Sequence, residues 1–413
     1  MRAGLAALIL AALAAPAAAQ LGLPGGLDPL GTVDRTRSAV SGAAENVVDR
    51  SVSGLSTIAG NAGQLAQDRL GRLRDFVAAR RGSVDWDERH EPARAGEVLL
   101  LDPDADSLAR AAEKGFALIE QARIADLGIA YARLSTPKGE PLARAIAELR
   151  RILPGREITA DHLHFPSGAA SGKSGERAPA TALPKGGTVG VIDGGIAGSD
   201  RLAAQGAFAA GAPKASDHAS AIASLLKGAG TTRIYGADVY GTDPAGGNAL
   251  AIARALGWMA AQRVPVVSIS LVGPANPLLA RAVAAARARG IVVVAAVGND
   301  GAAAPPAFPA SYLGVVAVTG VDGRGRVLIE AGRAAHLDYA APGADMTALV
   351  PGKGRIGLRG TSFAAPLAAA RMAARMGPGR DVAAVLRATN TEALAPSRRT
   401  GRGVLCMVCR TGG

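Results

Sequence analysis

The chain has 413 residues, 49% of them apolar and 19% charged, a balance that excludes an intrinsically disordered protein and leaves enough apolar surface for two or three domains. Aromatic residues make up only 3%, so any core must be filled by Ala, Val, Leu and Ile. The net charge of +12 is uneven: residues 1–185 carry 23 Lys and Arg against 22 Asp and Glu, and residues 186–413 carry 23 against 12, but no basic stripe with interleaved aromatics marks a nucleic-acid surface.

The first segment, MRAGLAALILAALAAPAAAQ, has a positive charge at Arg2, an apolar stretch from Leu5 to Ala15 and small residues at Ala17, Ala18 and Ala19. This is the pattern of a secretory signal peptide cut after Ala19, and the stretch is too short to span a bilayer comfortably. The mature chain is therefore expected to be extracytoplasmic, periplasmic or secreted, with no membrane span. Residues 20–95 form an N-terminal extension. Within it, QLAQDRLGRLRDFVAARRG places Leu65, Leu70, Leu73 and Phe76 at helical spacing before a stop at Arg81–Gly82, which predicts a surface or docking helix.

Residues 96–165 read as β-α-β-β-α-β, from the strand EVLLLDP through the helices ADSLARAAEKG and EPLARAIAELRRIL to a last strand, REITADHLHF. That order is a small ferredoxin-like α+β unit. Residues 166–185, the greater part of PSGAASGKSGERAPATALPKGG, read as a flexible linker. Beyond it, over 186–413, the runs TVGVI, RIYGADV, VPVVSISL, IVVVAAV and GVVAVTG alternate with helices starting near Ser216, Gly247, Pro277 and Thr361. Continuously apolar strands between helices predict an α/β fold, a three-layer doubly wound, mostly parallel sheet. The two cysteines, Cys406 and Cys409, fit a local bridge, which needs a turn, or two free thiols; zinc-site and thioredoxin-like readings lack their context.

In such a sheet, chemistry gathers at the carboxyl ends of the strands. Asp193 ends TVGVID, Asn299 follows IVVVAAVG, His218 opens one helix and Ser362 opens another in GLRGTSFAAP. Taken singly, each has an ordinary explanation as a turn or cap residue. Together they form a chemical set. A serine hydroxyl needs a base near neutral pH, an imidazole supplies it, and a carboxylate fixes the imidazole. An amide and a helix-start N–H are suited to a developing oxyanion.

These segments resemble the subtilisin-like serine proteases: VGVIDGGI matches the Asp motif, DHASAIAS the His motif, AAVGNDG the oxyanion motif and GTSFAAP the Ser motif, over about 186–405. The resemblance implies a serine endopeptidase acting on polypeptides through an acyl-enzyme. Asp193 would orient, His218 act as base then acid, Ser362 attack and Asn299 hold the oxyanion. It implies that Ser270, Leu271, Val272 and Gly273 line a substrate strand and that Ala296, Val297 and Gly298 wall the specificity pocket. It also implies that residues 96–165 are a propeptide, an intramolecular inhibitor in a proenzyme, fed into the site through ITADHLHF.

The chemistry requires no cofactor or metal, and since no carboxylate-dense loop stands out, the sequence leaves a structural calcium open. Several positions depart from the family pattern. Gly194 replaces a hydroxyl residue, Ala219 a glycine and Phe363 a methionine, while Val272 and Pro274 disturb the substrate strand. Those departures motivate a competing reading, a catalytically inactive binding protein on the same fold. A nucleotide-binding reading of VGVIDGG fails on its glycine spacing.

Overall fold

Leu65, Leu70, Leu73 and Phe76 do lie on a helix, α1, described over 63–78, and it buries Leu73 and Val77 while Leu70 stays half exposed. The structure is a computed structural model and describes residues 63–171, 183–377 and 381–413. The leader, the whole of the N-terminal extension before α1 and the middle of the linker lie outside the described residues.

After α1 come β1 (Val84–Trp86), β2 (Pro92–Leu101), α2 (Ala105–Ala112), β3 (Ala117–Ile124), β4 (Ile129–Ser135), α3 (Leu142–Ile152) and β5 (Ile158–His162). They form an antiparallel sheet in the order β1-β2-β4-β3, with β5 also on β2. The strand expected from Gly96 begins four residues earlier, at Pro92, so the sheet also takes in residues assigned to the extension.

The period of two explains why EVLLLDP reads as continuously apolar. Val98 and Leu100 join the core under α3, with Leu142, Ile146 and Leu149. Leu99 and Leu101 point the other way, into a core shared with the larger sheet's helices. Both faces of the small sheet are therefore covered.

The segment read as a linker does not start as one. Phe165–Pro166 is a strand, β6, and Ala169–Ser171 another, β7. Glycine, serine and proline content reports low intrinsic preference, which a partner strand overrides.

The second sheet has seven strands, all paired in parallel, in the order β15-β14-β13-β11-β8-β10-β9. These are β8 (Thr188–Asp193), β9 (Leu202–Ala207), β10 (Arg233–Asp238), β11 (Val266–Ile269), β13 (Val292–Ala296), β14 (Val316–Val321) and β15 (Tyr339–Pro342). The short β12 (Leu271–Val272) lies outside it, and β16 (Met346–Val350), β17 (Gly354–Arg359) and β7 form a further antiparallel sheet. Helices α4 (Asp217–Gly228) and α7 (Thr361–Ala373) fill one face, α5 (Ala249–Ala261) and α6 (Pro277–Ala288) the other, and α8 (Val382–Asn390) follows. This is the expected three-layer α/β fold. Successive strands leave β8 in both directions, so β8 is the topological switch point, where a crevice opens at the carboxyl edge. Asp193 is its last residue.

Every residue of α7 is buried, including a charged one, Arg371, at 0% exposure. The Arg371 guanidinium reaches both oxygens of Glu392, at 2.8 and 3.0 Å, and the Pro184 carbonyl at 2.8 Å. Close to the chain's end, Cys406 and Cys409 are bridged across a turn closed by Cys409 N–H to the Cys406 carbonyl, which decides between the two readings left open by the sequence. Removing the Arg371 partner strands a buried charge. Glu392→Ala is expected to reduce stability by about 3–5 kcal/mol, read as a lower urea midpoint; an unchanged midpoint would mean that the Pro184 carbonyl suffices.

Candidate active site

Three side chains from different elements meet at the switch point. Asp193 ends β8 and turns one carboxylate oxygen to Gly194 N–H at 2.8 Å and the other to His218 Nδ1 at 2.9 Å. His218 sits in the first turn of α4, whose cap is Ser216 and not the neighbouring Asp217: the Ser216 hydroxyl accepts the Ala219 N–H at 3.4 Å. The other ring nitrogen, Nε2, lies 2.9 Å from Ser362 Oγ. Ser362 is in the first turn of α7 and is fully buried.

The residue at the cap position of α7, Gly360, has no side chain to cap it. Gly360 precedes it at φ 140°, and a Cβ there would meet Gly168 Cα at 2.6 Å and the Ser167 carbonyl oxygen at 2.8 Å. The open N-terminus therefore accepts a chain at close range. That chain is the protein's own. The Ser167 carbonyl oxygen receives the Ser362 N–H at 3.0 Å and a second, short hydrogen bond from Asn299 Nδ2. Asn299 is held in turn, because its Oδ1 accepts the Thr361 N–H at 3.0 Å.

The residues around Ser167 run as strands on both sides. Ahead of it, β6 pairs antiparallel with β12, Pro166 opposite Leu271 and Phe165 opposite Val272, and Ser167 N–H donates to the Ser270 carbonyl at 3.2 Å. After it, β7 pairs antiparallel with β17. The concern raised by Val272 and Pro274 is thus answered: β12 pairs normally up to Val272, and Gly273 then exchanges backbone hydrogen bonds with Phe308 instead.

A cavity of about 670 Å³ opens beside Ser167, lined among others by Val272, Gly273, Val297 and Gly298. Of the residues assigned to substrate contact, those four line it. Leu271 and Ala296 do not: both side chains are fully buried in the two main cores. Ser270 serves through its backbone, while its hydroxyl donates to the Ser362 carbonyl at 2.8 Å.

Helix α1 closes the outer side of this cavity. Phe76 packs edge-on against Phe165, with ring centroids 5.0 Å apart, a pair worth about 0.5–1.5 kcal/mol beyond area burial. Arg69 and Arg72 reach Asp300 at 3.4 and 2.5 Å. Nothing in the spacing of α1 announced this role; the weak signal was an apolar stripe with arginines on a helix otherwise without a partner.

His162 and His164 lead into the cleft. His162 Nε2 lies 2.9 Å from Asp87 and its Nδ1 takes a hydrogen bond from Asn276 at 2.9 Å. His164 is fully buried, and burial holds its imidazole down to about 3. It is a neutral packing residue over the ordinary pH range.

An Asp-His-Ser chain at the carboxyl edge of a doubly wound sheet, with an amide beside a helix start, is the architecture of the subtilisin class. The sequence model of the Subtilase family matches residues 185–401, and the chain belongs to that family. It is similar to alkaline elastase YaB of Bacillus sp. (strain YaB), 34% identical over 193 residues, covering 43% of this chain and 51% of that protein. It is also similar to subtilisin BL of Lederbergia lenta, 32% identical over 194 residues, covering 43% and 71%. The chain thus spans about half the length of the elastase it matches. Among solved structures, fervidolysin from Fervidobacterium pennivorans, a keratinolytic enzyme related to subtilisin, superposes with a TM-score of 0.63 at 14% identity, over 77% of this chain and 61% of that one. That likeness is one of fold.

One departure from the family pattern, Gly194, has a local cause. A Cβ on Gly194 would lie 2.6 Å from Ser216 Cβ, so the hydroxyl residue has no room here, and the Gly194 N–H already serves the carboxylate. Gly194→Ser is expected to destabilise by about 1–3 kcal/mol through overpacking. Adding Ser216→Gly should recover most of this, since glycine is a tolerated cap. Thermal melts on a Ser362→Ala background test it; equal melting of Gly194→Ser and its parent would show that the site has slack.

Proposed function

We propose that the protein is a serine endopeptidase, made as an exported proenzyme. The reading rests on one observation: the carbonyl oxygen of Ser167 lies between the Ser362 N–H and the Asn299 amide, with the Ser362 hydroxyl on His218 beside it. This is the arrangement of a peptide bond set for attack, here within the chain itself.

The chemistry follows from the groups present. Ser362 Oγ bonds to the carbonyl carbon while its proton passes to His218 Nε2. Asp193, on Nδ1, fixes the tautomer and stabilises the imidazolium. Negative charge develops on the oxygen held by the two donors. The carbon–nitrogen bond then breaks as His218 returns the proton to the leaving amine, and water, deprotonated by His218, hydrolyses the acyl-enzyme and restores Ser362. In the proenzyme the bond cut is Ser167–Gly168, which leaves Ser167 as the last residue of the released segment.

Residues 96–165 are the inhibitory unit in this reading. β5 leads directly into β6, so the small sheet anchors a product-like strand in the cleft, and α1 lies across it. The leader read at Met1–Ala19 makes the product extracytoplasmic. Among the described residues no helix is long and apolar enough to cross a membrane.

Two measurements bear on this. Intact-mass analysis of the secreted wild-type chain should find a fragment beginning at Gly168, and Ser362→Ala should remain joined across that bond. A Ser362→Ala product that also begins at Gly168 would assign the cut to another protease. Asn299→Ala should lower kcat on a peptide substrate by about 10²–10³-fold with little change in KM, a magnitude carried over from subtilisin itself; an unchanged kcat would remove the amide from the mechanism.

A further inference from the structure

The two sides of the Ser167–Gly168 bond are not alike. On the acyl side Ser167 faces a cavity of about 670 Å³, far more than its own side chain fills. On the leaving side Gly168 also borders that cavity, but the direction a side chain would take is blocked. A Cβ on Gly168 would lie 2.0 Å from Ser362 Oγ and 2.8 and 3.3 Å from two carbons of the Phe363 ring.

Neither neighbour gives way easily. The Ser362 hydroxyl is held by His218 at 2.9 Å. The Phe363 ring is buried to 1% exposure and packs on the His218 ring, with centroids 5.1 Å apart, so it cannot retreat in that direction without pushing the imidazole off its partners. Gly360 bounds the slot as well, since a Cβ there would stand 2.6 Å from Gly168 Cα. Gly168 is not among the glycines with positive φ, so its backbone conformation is open to other residues. What requires glycine is space.

We infer that the enzyme is selective for glycine on the leaving side of the bond it cuts, and that the Ser362 hydroxyl and the Phe363 ring close the slot together, Phe363 being the wall that can be changed without removing the nucleophile. The substrate class is therefore polypeptides with accessible Xaa–Gly bonds in extended segments, with a tolerant acyl side and a strict leaving side. The chain's own Ser167–Gly168 bond is one member of that class. This rests on the endopeptidase reading above and adds to it a narrower substrate. The sequence carries the cause in one letter: a flexible thioether after the nucleophile would bend aside, and a flat ring locked against His218 does not.

The test uses internally quenched peptides covering residues 163–171, LHFPSGAAS, with Gly, Ala or Val at the position of Gly168, and a second set with Ala, Leu or Phe at that of Ser167. They are incubated with the enzyme secreted after expression of the whole chain, wild-type, Phe363→Met or Phe363→Ala, each checked for a wild-type circular dichroism spectrum. The glycine peptide should be cut after Ser, the alanine peptide roughly 10–10²-fold more slowly, the rate equivalent of overfilling a packed site, and the valine peptide not measurably. Changes at the Ser167 position should alter the rate far less. Both Phe363 variants should narrow the ratio of glycine to alanine. In the full chain, Gly168→Ala should slow self-processing by a similar factor, and Phe363→Ala in that chain should restore it.

Equal rates on the glycine and alanine peptides with wild-type enzyme would overturn the inference while leaving the endopeptidase reading intact. A preserved glycine preference in both Phe363 variants would overturn the role of Phe363. No cleavage of any peptide, together with an uncut wild-type chain, would take down the endopeptidase reading and the inference with it.

Discussion

Helix α7 starts at a glycine that offers no cap of its own, and the N–H groups of its first turn face a cleft instead of an adjacent serine or aspartate. One is taken by the Asn299 side chain and the next by the Ser167 carbonyl. The rest of the site is arranged around that vacancy. The helix cannot move to satisfy itself, because all thirteen of its residues are buried against the sheet. The small side chains of Ala364, Ala365, Ala368 and Ala369 let it lie close to the strands, and the positive φ of Gly360 brings the entering chain within contact distance. A single interaction, carbonyl to open helix start, thereby aligns the nucleophile, the amide and the bound segment.

The bound segment is held from both ends. Upstream, the small sheet is anchored by burying one face on the helices of the large domain, through Leu99, Leu101, Ile124 and Tyr131. Its last strand leaves in the direction of β12 and can only continue into the groove. Downstream, β7 adds to β17. Pairing on both sides fixes the register of the residues between, and so decides which peptide bond stands at Ser362. Backbone pairing of this kind tolerates many side chains, whereas the slot at Gly168 does not; affinity and selectivity are carried by different contacts.

Much of this could be read from residue order. Asp193, His218, Asn299 and Ser362 stood out because each falls at the end of an apolar strand or the start of a helix, where a doubly wound sheet gathers its chemistry. Among the strands that were missed, β9 and β17 lack the long apolar runs of the central ones, since LAAQGA and GRIGLR expose several positions, whereas VDW, YAAP and MTALV are short. The linker misled for a related reason. PSGAAS has no intrinsic preference for extension, and its two strands exist only because β12 and β17 are there to pair with. Gly194, Val272 and Pro274 looked like defects in a known pattern, and each is accommodated by a neighbour distant in sequence or by a local change of partner.

The sequence by itself determined the layered α/β fold, the small unit ahead of it and the set of groups proposed to react, because periodicity and strand-end placement are local properties of the chain. Tertiary structure alone decided three other things. It chose Ser167 as the residue whose carbonyl meets the two donors, since register depends on pairing with segments far away in the chain, Pro166 with Leu271 and Ala170 with Leu358. It laid α1 over the cleft, since an apolar helix stripe does not name its partner. It made glycine at 168 and phenylalanine at 363 a matched pair, since whether a Cβ fits is a question of distances between atoms that the chain order keeps far apart.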